Sequence, residues 1–365
     1  MATKLIEKLL ALKPQGCSVE EIAHRLKEPV DKVRSLLIGG SSLPGNYQLV
    51  KWMNHLGAEN YQLLPPEEPE PTVHHRAFRF LRSKDESYHR VFIQDDVTDI
   101  NGKPAKCIEL FPFSDVHFGH KRCDESNFMR DIKEVEKRPN RLAFLNGDVM
   151  ENALGDSAGG AAWAEQRLTP HEQYKELINI LRPIAHKIVV ARPGNHEQRT
   201  EKKGLINPLE VVCDHLRIPY FAGPSNMEIV WRGYRWTFFI KHGTSGSNTP
   251  GGKLNSVGKE RAYNDFRNFH IMGHVHDEMT HKVTRALPRR EFDGQNLKRF
   301  WIEYPKEYKV ICPSYLLYSG TYAESAGYSP GSRNVIVIQL FNNGDYHVVS
   351  SKRRQDSDNE ENSII

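Results

Sequence analysis

Residues 141–150 read RLAFLNGDVM, a short apolar run that closes on Asn146, Gly147 and Asp148. The run has the length of a strand, and the Gly-Asp that follows marks a turn leaving a carboxylate at the strand's carboxyl end. The pattern recurs along the chain. RVFIQDDV (90–97), CIELFPFSDVH (107–117), KIVVARPGNHE (187–197) and WTFFIKHG (236–243) read as further strands. EQYKELINILRPIAHK (172–187) and INPLEVVCDHL (206–216) read as helices between them. Short apolar runs alternating with helix-length segments imply an α/β domain. At its end NVIVIQLFNNGDYHVVS (334–350) reads as a hairpin turning at Asn343 and Gly344.

Working outward, residues 73–350 form the expected α/β domain, followed by a charged tail, SKRRQDSDNEENSII (351–365), of disordered composition. Before it, PPEEPEPT (65–72) is a proline-rich acidic linker that supplies no core. Residues 1–64 read as a separate small unit. Leu5, Ile6, Leu9 and Leu10 form one helical stripe, and Ser18 with Glu21 makes a capping box for a second helix. Val30, Val33, Leu36 and Leu37 mark a third, ended by Gly39 and Gly40, and the runs YQLVKWM and YQLLP suggest a hairpin after it. Three helices and a hairpin resemble a winged helix-turn-helix domain. Its eight Lys/Arg against six Asp/Glu make it only slightly basic, so DNA contact and protein docking both stay open for it.

The chain has 365 residues, 38% hydrophobic and 26% charged, with a net charge of +4. That is enough apolar material for packed cores and too mild a charge to decide for nucleic acid. Five scattered cysteines without C-x-x-C spacing argue against a disulfide framework or a cysteine zinc site. The start, MATKLIEKLLALK, is amphipathic and lacks the apolar centre of a signal peptide, and no apolar run is long enough for a bilayer. A soluble, cytoplasmic chain with no membrane partner is the expectation.

Five strand ends carry ligand-type residues: Asp115 and His117; Asp148; Asn195 and His196; His242; His274 and His276. In α/β sheets, ligands bind in the crevice outside the carboxyl ends of the strands. A histidine pair spaced by one residue sends both rings to the same side, because strand side chains alternate with period two. Two divalent ions about 3.5 to 4 Å apart need several O and N donors and a carboxylate that can bridge them. Four histidines, two aspartates and one asparagine suit Mn, Fe or Zn better than Ca, and Asp148 fits the bridge.

FSDVHFG, NGDVMEN, PGNHE, KHG and MGHVH stand in the order and spacing of the calcineurin-like metallophosphoesterase superfamily, over about residues 107–350. The resemblance implies a metallophosphoesterase-type β-sandwich flanked by helices. It implies that Asp115, His117, Asp148 and His276 hold one metal, and Asp148, Asn195, His242 and His274 the other. Manganese is the first expectation, with iron, zinc or nickel as alternatives. A water activated by both ions attacks phosphorus directly, with no phosphorylated enzyme. His196 is expected at the substrate phosphate, where it protonates the leaving oxygen or stabilises charge; its other reading is to orient a ligand. His120, after Gly119, is a further candidate neighbour of the metals.

Protein phosphatases of that superfamily carry an arginine after the acid of the second motif; here the position is Asn152, which weakens a monoesterase reading. Residues 241–310 hold thirteen Lys/Arg against eight Asp/Glu, with Phe292, Phe300 and Trp301 beside Arg289, Arg290, Lys298 and Arg299. Basic residues interleaved with aromatics are what single-strand binders use. Candidate substrate contacts are therefore Asn152, Lys253, Arg289 and Arg290, with GTSGSNTPGG (243–252) as a flexible cleft wall. The leading reading is a phosphodiesterase or nuclease on nucleic acid, DNA favoured, similar to members encoded by phages and mobile elements. A phosphomonoesterase or small-nucleotide phosphodiesterase with an accessory module is the alternative, and a non-catalytic DNA-binding regulator a third. By analogy with dimeric nucleases of the superfamily a homodimer stays open.

Overall fold

A computed structural model describes residues 29, 48–53, 59–64, 77–82, 88–155, 163–244, 247, 249–259, 266–293, 296–317 and 334–352. The chain divides into two compact units, residues 1–75 and 76–365. In the first, β1 (Gln48–Met53) and β2 (Glu59–Leu64) pair antiparallel, Gln48 opposite Leu64 and Met53 opposite Glu59. The three helices expected ahead of this hairpin, the linker and most of the tail lie outside the described residues. Among the described residues no helix is long and apolar enough to cross a membrane.

The second unit is mixed α/β and contains two large sheets. One is built on β5 (Cys107–Phe113), β6 (Arg141–Asn146) and β7 (Ile188–Arg192), which run parallel; β15 (Asn334–Phe341) and β16 (Tyr346–Lys352) add antiparallel in the order β16-β15-β5-β6-β7. The other has the order β11-β14-β10-β9-β8-β4-β3. Its members are β3 (Phe78–Arg82), β4 (Tyr88–Ile93), β8 (Ser225–Trp231), β9 (Tyr234–Lys241), β10 (Phe269–Met272), β11 (Met279–Thr284) and β14 (Lys306–Ile311). β10 runs parallel to both β9 and β14. Between β11 and β14 a separate two-stranded ribbon is formed by β12 (Leu287–Asp293) and β13 (Asn296–Glu303).

Side-chain alternation explains the layering. In β5, Ile108 and Leu110 join Trp231, Phe238, Ile240, Phe269 and Ile271 of the other sheet in one buried cluster, so the sheets face each other across it. Phe111 and Phe113 point the opposite way, onto helices. A strand buried on both faces must be apolar along most of its length. That is why the middle of β6, LAFL, reads as an unbroken apolar run, and with Arg141 and Asn146 at its ends the strand is buried at all six positions. Each large side chain buried this way contributes about 1.5–3 kcal/mol relative to exposure.

The outer face of the first sheet is covered by α1 (Glu125–Lys137), α2 (Pro170–Leu181) and α4 (Pro208–Leu216). A short α3 (Gln198–Glu201) precedes α4. In α1, Phe128, Ile132 and Val135 fall at helical spacing and are buried. α2 opens on a complete capping box, Thr169 with Glu172, and carries proline in its first turn. On the second sheet, Val257 of α5 (Pro250–Gly258) packs on Met272 and Ile311. The segment read as a flexible wall is thus partly helix. Thr249 accepts from Gly252 N–H and Pro250 fixes the first turn, which outweighs two glycines.

Candidate metal centre

The carboxyl ends of β5, β6 and β7 from one sheet, and of β9 and β10 from the other, deliver their ligand-type residues to one place. Asp115, His117 and His276 bring one donor atom each within 4.8 Å of one another, and so do Asp148, His242 and His274. Asn195 joins the second set, its Oδ1 lying 2.9 Å from His274 Nδ1 and 3.2 Å from His242 Nε2. All seven donors expected from the sequence therefore converge, and Asp115, His117, Asp148 and His242 are buried.

Backbone conformation makes this convergence possible. Asp115, His117, Asp148, His274 and His276 have φ of 51°, 52°, 48°, 69° and 52°. The left-handed region costs a residue with a Cβ roughly 1–2 kcal/mol, and such outliers gather where the surroundings over-determine them for function. Of the nearby glycines, Gly147 has φ +79°, and a Cβ there would stand 2.6 Å from Gly194 N and 2.7 Å from His242 Nδ1. Gly194 has no room either, because a Cβ would run into the Asp148 carboxylate.

The hydrogen bonds fix ring orientations. His242 Nδ1 lies 2.8 Å from the carbonyl of Asn146, which only accepts, so Nδ1 carries a hydrogen. Its Nε2 then meets Asp148 Oδ2 at 3.0 Å, Asn195 Oδ1 at 3.2 Å and Asp115 Oδ1 at 4.0 Å. A ring nitrogen surrounded by oxygen acceptors needs either a proton or a cation. The other set repeats the logic: His117 Nδ1 is 2.9 Å from Glu151 Oε2, while its Nε2 faces His276 Nε2 at 3.0 Å. At that separation one nitrogen donates a hydrogen to the other, or both take a cation. This donor set fits a metal ion.

The electrostatics agree. Burial pulls the pKa of His242 down, but Asp148 above all, with Asp115 and the Asn146 carbonyl, outweighs it and carries the value up to about 9. Burial and the neighbouring Asp148 charge push Asp115 up to about 7. Burial also works to raise Asp148, yet His242, His196 and His117 hold it well below the usual carboxylate range. Burial and cationic neighbours lower His274 to about 4 and bring His117 and His276 below the ordinary imidazole value. Those three rings are therefore neutral near pH 7 and able to donate lone pairs.

A metal ion has to displace the His242 proton and the part of the Asp115 proton still present at pH 7. Uptake of Mn²⁺ at that pH is expected to release about one to two protons. The sign follows: the metal-free form holds the Asp115 proton up to about pH 7 and the His242 proton up to about pH 9, so apparent affinity strengthens as pH rises and fades as it falls. Titration calorimetry in buffers of different ionisation enthalpy counts the protons directly. Uptake without proton release means that His242 carries no second proton in the metal-free form.

Residues braced around the donors went unassigned in the sequence. Glu197, fully buried, accepts from the backbone N–H of Asp148 (3.0 Å), Met150 (2.9 Å) and Gly194 (2.8 Å), tying the β6 and β7 loops together. Its signal was the last letter of PGNHE. Glu151 orients His117 and also lies 3.4 Å from His196 Nδ1. His196 is buried and packs edge-on to His117, ring centroids 4.5 Å apart, with its backbone N–H on Asp148 Oδ1 at 2.9 Å. Burial lowers its pKa, but Asp148 and Glu151 outweigh that and raise it above the ordinary value.

Several expected contacts look different in the structure. Asn152 is fully buried, and its amide donates to the His196 carbonyl at 2.8 Å and Thr200 Oγ1 at 2.7 Å; it braces the loop and faces no open space. Lys253 is buried and paired with Asp277 Oδ2 at 2.9 Å, beneath α5 and away from solvent. Arg289 is paired with Glu303 at 2.7 Å on the ribbon. Arg290, exposed on the ribbon's other face, makes no ion pair or hydrogen bond among the described residues. His120 turns toward Glu165, 3.4 Å away, and accepts from Arg122 N–H, so it stands outside both donor groups.

No protein-family model matches the chain, and no curated protein matches it in sequence. The fold and the clusters by themselves define a mixed α/β protein with a candidate metal site at the strand ends of two sheets.

Proposed function

We propose that this chain is a two-metal phosphoesterase of the calcineurin-like metallophosphoesterase kind, acting on phosphodiesters of nucleic acid. The observation that carries this is the meeting of two Asp/His donor groups at the carboxyl ends of strands from facing sheets, with His242 Nε2 ringed by acceptor oxygens. In this reading Asp115, His117, Asp148 and His276 hold one ion, and Asp148, Asn195, His242 and His274 the second, with manganese preferred over iron, zinc or nickel. When bound, such a pair neutralises phosphate oxygens and lowers the pKa of water to near neutrality.

The chain's own residues do the rest. Glu151 and the Asn146 carbonyl fix which nitrogens of His117 and His242 face the centre. Glu197 and the His196 backbone hold the Asp148 loop in its strained conformation. His196 Nε2, 3.9 Å from Asp148 Oδ2, is placed to hold a proton for the leaving oxygen. Chemistry of this kind requires no serine or cysteine nucleophile.

The ribbon favours nucleic acid. Arg290 and Phe300 are cross-strand partners and both exposed, Phe300 at 53%, while Arg299 stacks over Trp301 at 5.0 Å. An aromatic face beside an unpaired guanidinium suits a base and its phosphate. The hairpin of the first unit is compatible with a wing. Purified protein with Mn²⁺ is offered bis-p-nitrophenyl phosphate, p-nitrophenyl phosphate and labelled single- and double-stranded DNA. Diester turnover and DNA cleavage are expected. Robust monoester turnover without DNA cleavage favours the phosphomonoesterase alternative and sinks the nuclease reading.

A further inference from the structure

We propose that Arg199 binds the scissile phosphate, entering from α3 in place of the arginine that the segment after Asp148 lacks. The inference rests on the phosphoester reading and adds to it a residue that the sequence motifs do not mark.

Arg199 is three residues beyond His196, and its side chain is 22% exposed, whereas Asn152 is fully buried with its amide engaged. One arm is anchored: Nη1 donates to the Glu151 carbonyl at 3.0 Å and reaches Glu151 Oε1 at 3.5 Å. The other arm, Nη2, stands 2.9 Å from His196 Nε2. His196 Nδ1 lies 2.8 Å from the same Glu151 carbonyl, which only accepts, so Nδ1 carries the hydrogen and Nε2 of the neutral ring accepts from the guanidinium. The free arm therefore rests on the ring nitrogen that faces the Asp148 carboxylate, 3.9 Å beyond.

That contact is a holding position. A charged phosphate oxygen makes a shorter hydrogen bond to a guanidinium, about twice as strong as a neutral one. An anionic oxygen arriving beside His196 takes over Nη2 while Glu151 keeps Nη1 fixed, so the arginine is already oriented and little side-chain entropy is lost on binding. The exchange also uncovers His196 Nε2, which is then free to take up from solvent the proton that it passes to the leaving oxygen. With one arm tied to Glu151, a single arm is left for substrate. This suits the single charge of a diester better than the dianion of a monoester, which a two-armed clamp recognises.

The test compares wild type with Arg199→Lys, Arg199→Gln and Arg199→Ala, each loaded with Mn²⁺. Three quantities are measured: metal per chain, binding of inorganic phosphate by calorimetry, and KM and kcat for bis-p-nitrophenyl phosphate. All variants are expected to keep the wild-type metal content, because Arg199 touches none of the seven donors. Phosphate affinity should fall about 10- to 100-fold in the Ala and Gln variants, with part recovered by Lys. KM should rise in parallel. Phosphate affinity within twofold of wild type in the Ala and Gln variants overturns the proposal and leaves the phosphoesterase reading intact. Loss of metal from these variants shows instead that Arg199 only supports Glu151 and His117, which also overturns it. A wild-type protein that retains no metal fails at the earlier step and takes both readings with it.

Discussion

Asp148→Ala is expected to lower diester turnover by on the order of a thousandfold or more, and to leave the protein unable to retain a full pair of metal ions. The reason lies in how many groups share this carboxylate. Its Oδ2 is 3.0 Å from His242 Nε2, and its Oδ1 accepts from the His196 backbone N–H at 2.9 Å. Its charge acts on His117, His196, His242, His274 and His276 alike. Asp115 also reaches across, its Oδ1 3.5 Å from His276 Nε2 and 4.0 Å from His242 Nε2, but it is Asp148 whose charge acts on all five rings. The fold should survive, because Glu197 still holds the loop through the Asp148 backbone N–H when the His196 N–H loses its Oδ1 acceptor. Asp148→Asn keeps the shape and removes the charge, so it separates packing from coordination. Elemental analysis of both variants, alongside hydrolysis of bis-p-nitrophenyl phosphate, decides the matter; two ions per chain in Asp148→Ala rules out the bridging role.

The centre was legible in the sequence because each donor follows an apolar strand. A strand inside two covered faces is apolar along most of its length, so the polar residues that follow it mark the sheet's edge. Asp148 after RLAFLNG and Asn195 after KIVVARPG are examples. What the sequence conceals is direction. Arg289 and Arg290 are neighbours in sequence, yet strand alternation turns the first to Glu303 and leaves the second open. Lys253 counts as a basic residue in composition, but α5 buries it against Asp277. The helix itself was missed because glycines 251 and 252 mask a start that Thr249 and Pro250 supply. α1 was missed although Phe128, Ile132 and Val135 carry helical spacing, since polar residues outnumber apolar ones in ESNFMRDIKEVEK.

The same limit applies to the braces. Glu151 and Glu197 stand in NGDVMEN and PGNHE without an assigned role, and only the fold reveals that one orients His117 while the other ties two loops together. Their burial would cost several kcal/mol each if the carboxylates lacked partners. The way they meet it differs. Burial leaves the Glu197 pKa raised despite its backbone donors, while His196 and His117 outweigh burial at Glu151 and hold it well below the usual range. Glu151 is thus held as a carboxylate by the rings beside it. Its contacts to His117, His196 and Arg199 join a donor of one metal group to the two side chains expected at the substrate.

That arrangement sets the second large effect. His196→Ala is expected to reduce kcat by about 10²- to 10⁴-fold, the range of a general acid, with metal content unchanged. Metal content should hold because the loop is fixed by the His196 backbone N–H to Asp148 and by Asn152 to the His196 carbonyl, and alanine keeps both. Removing the ring leaves Glu151 paired with His117 and Arg199, so no buried carboxylate is stranded. The loss should be largest for substrates with poor leaving groups, which need a proton most, and smallest for bis-p-nitrophenyl phosphate. Comparing kcat for DNA with kcat for the activated ester reads this difference. An equal loss on both substrates removes the proton-donor role, and a collapse of metal content assigns His196 to holding the ions.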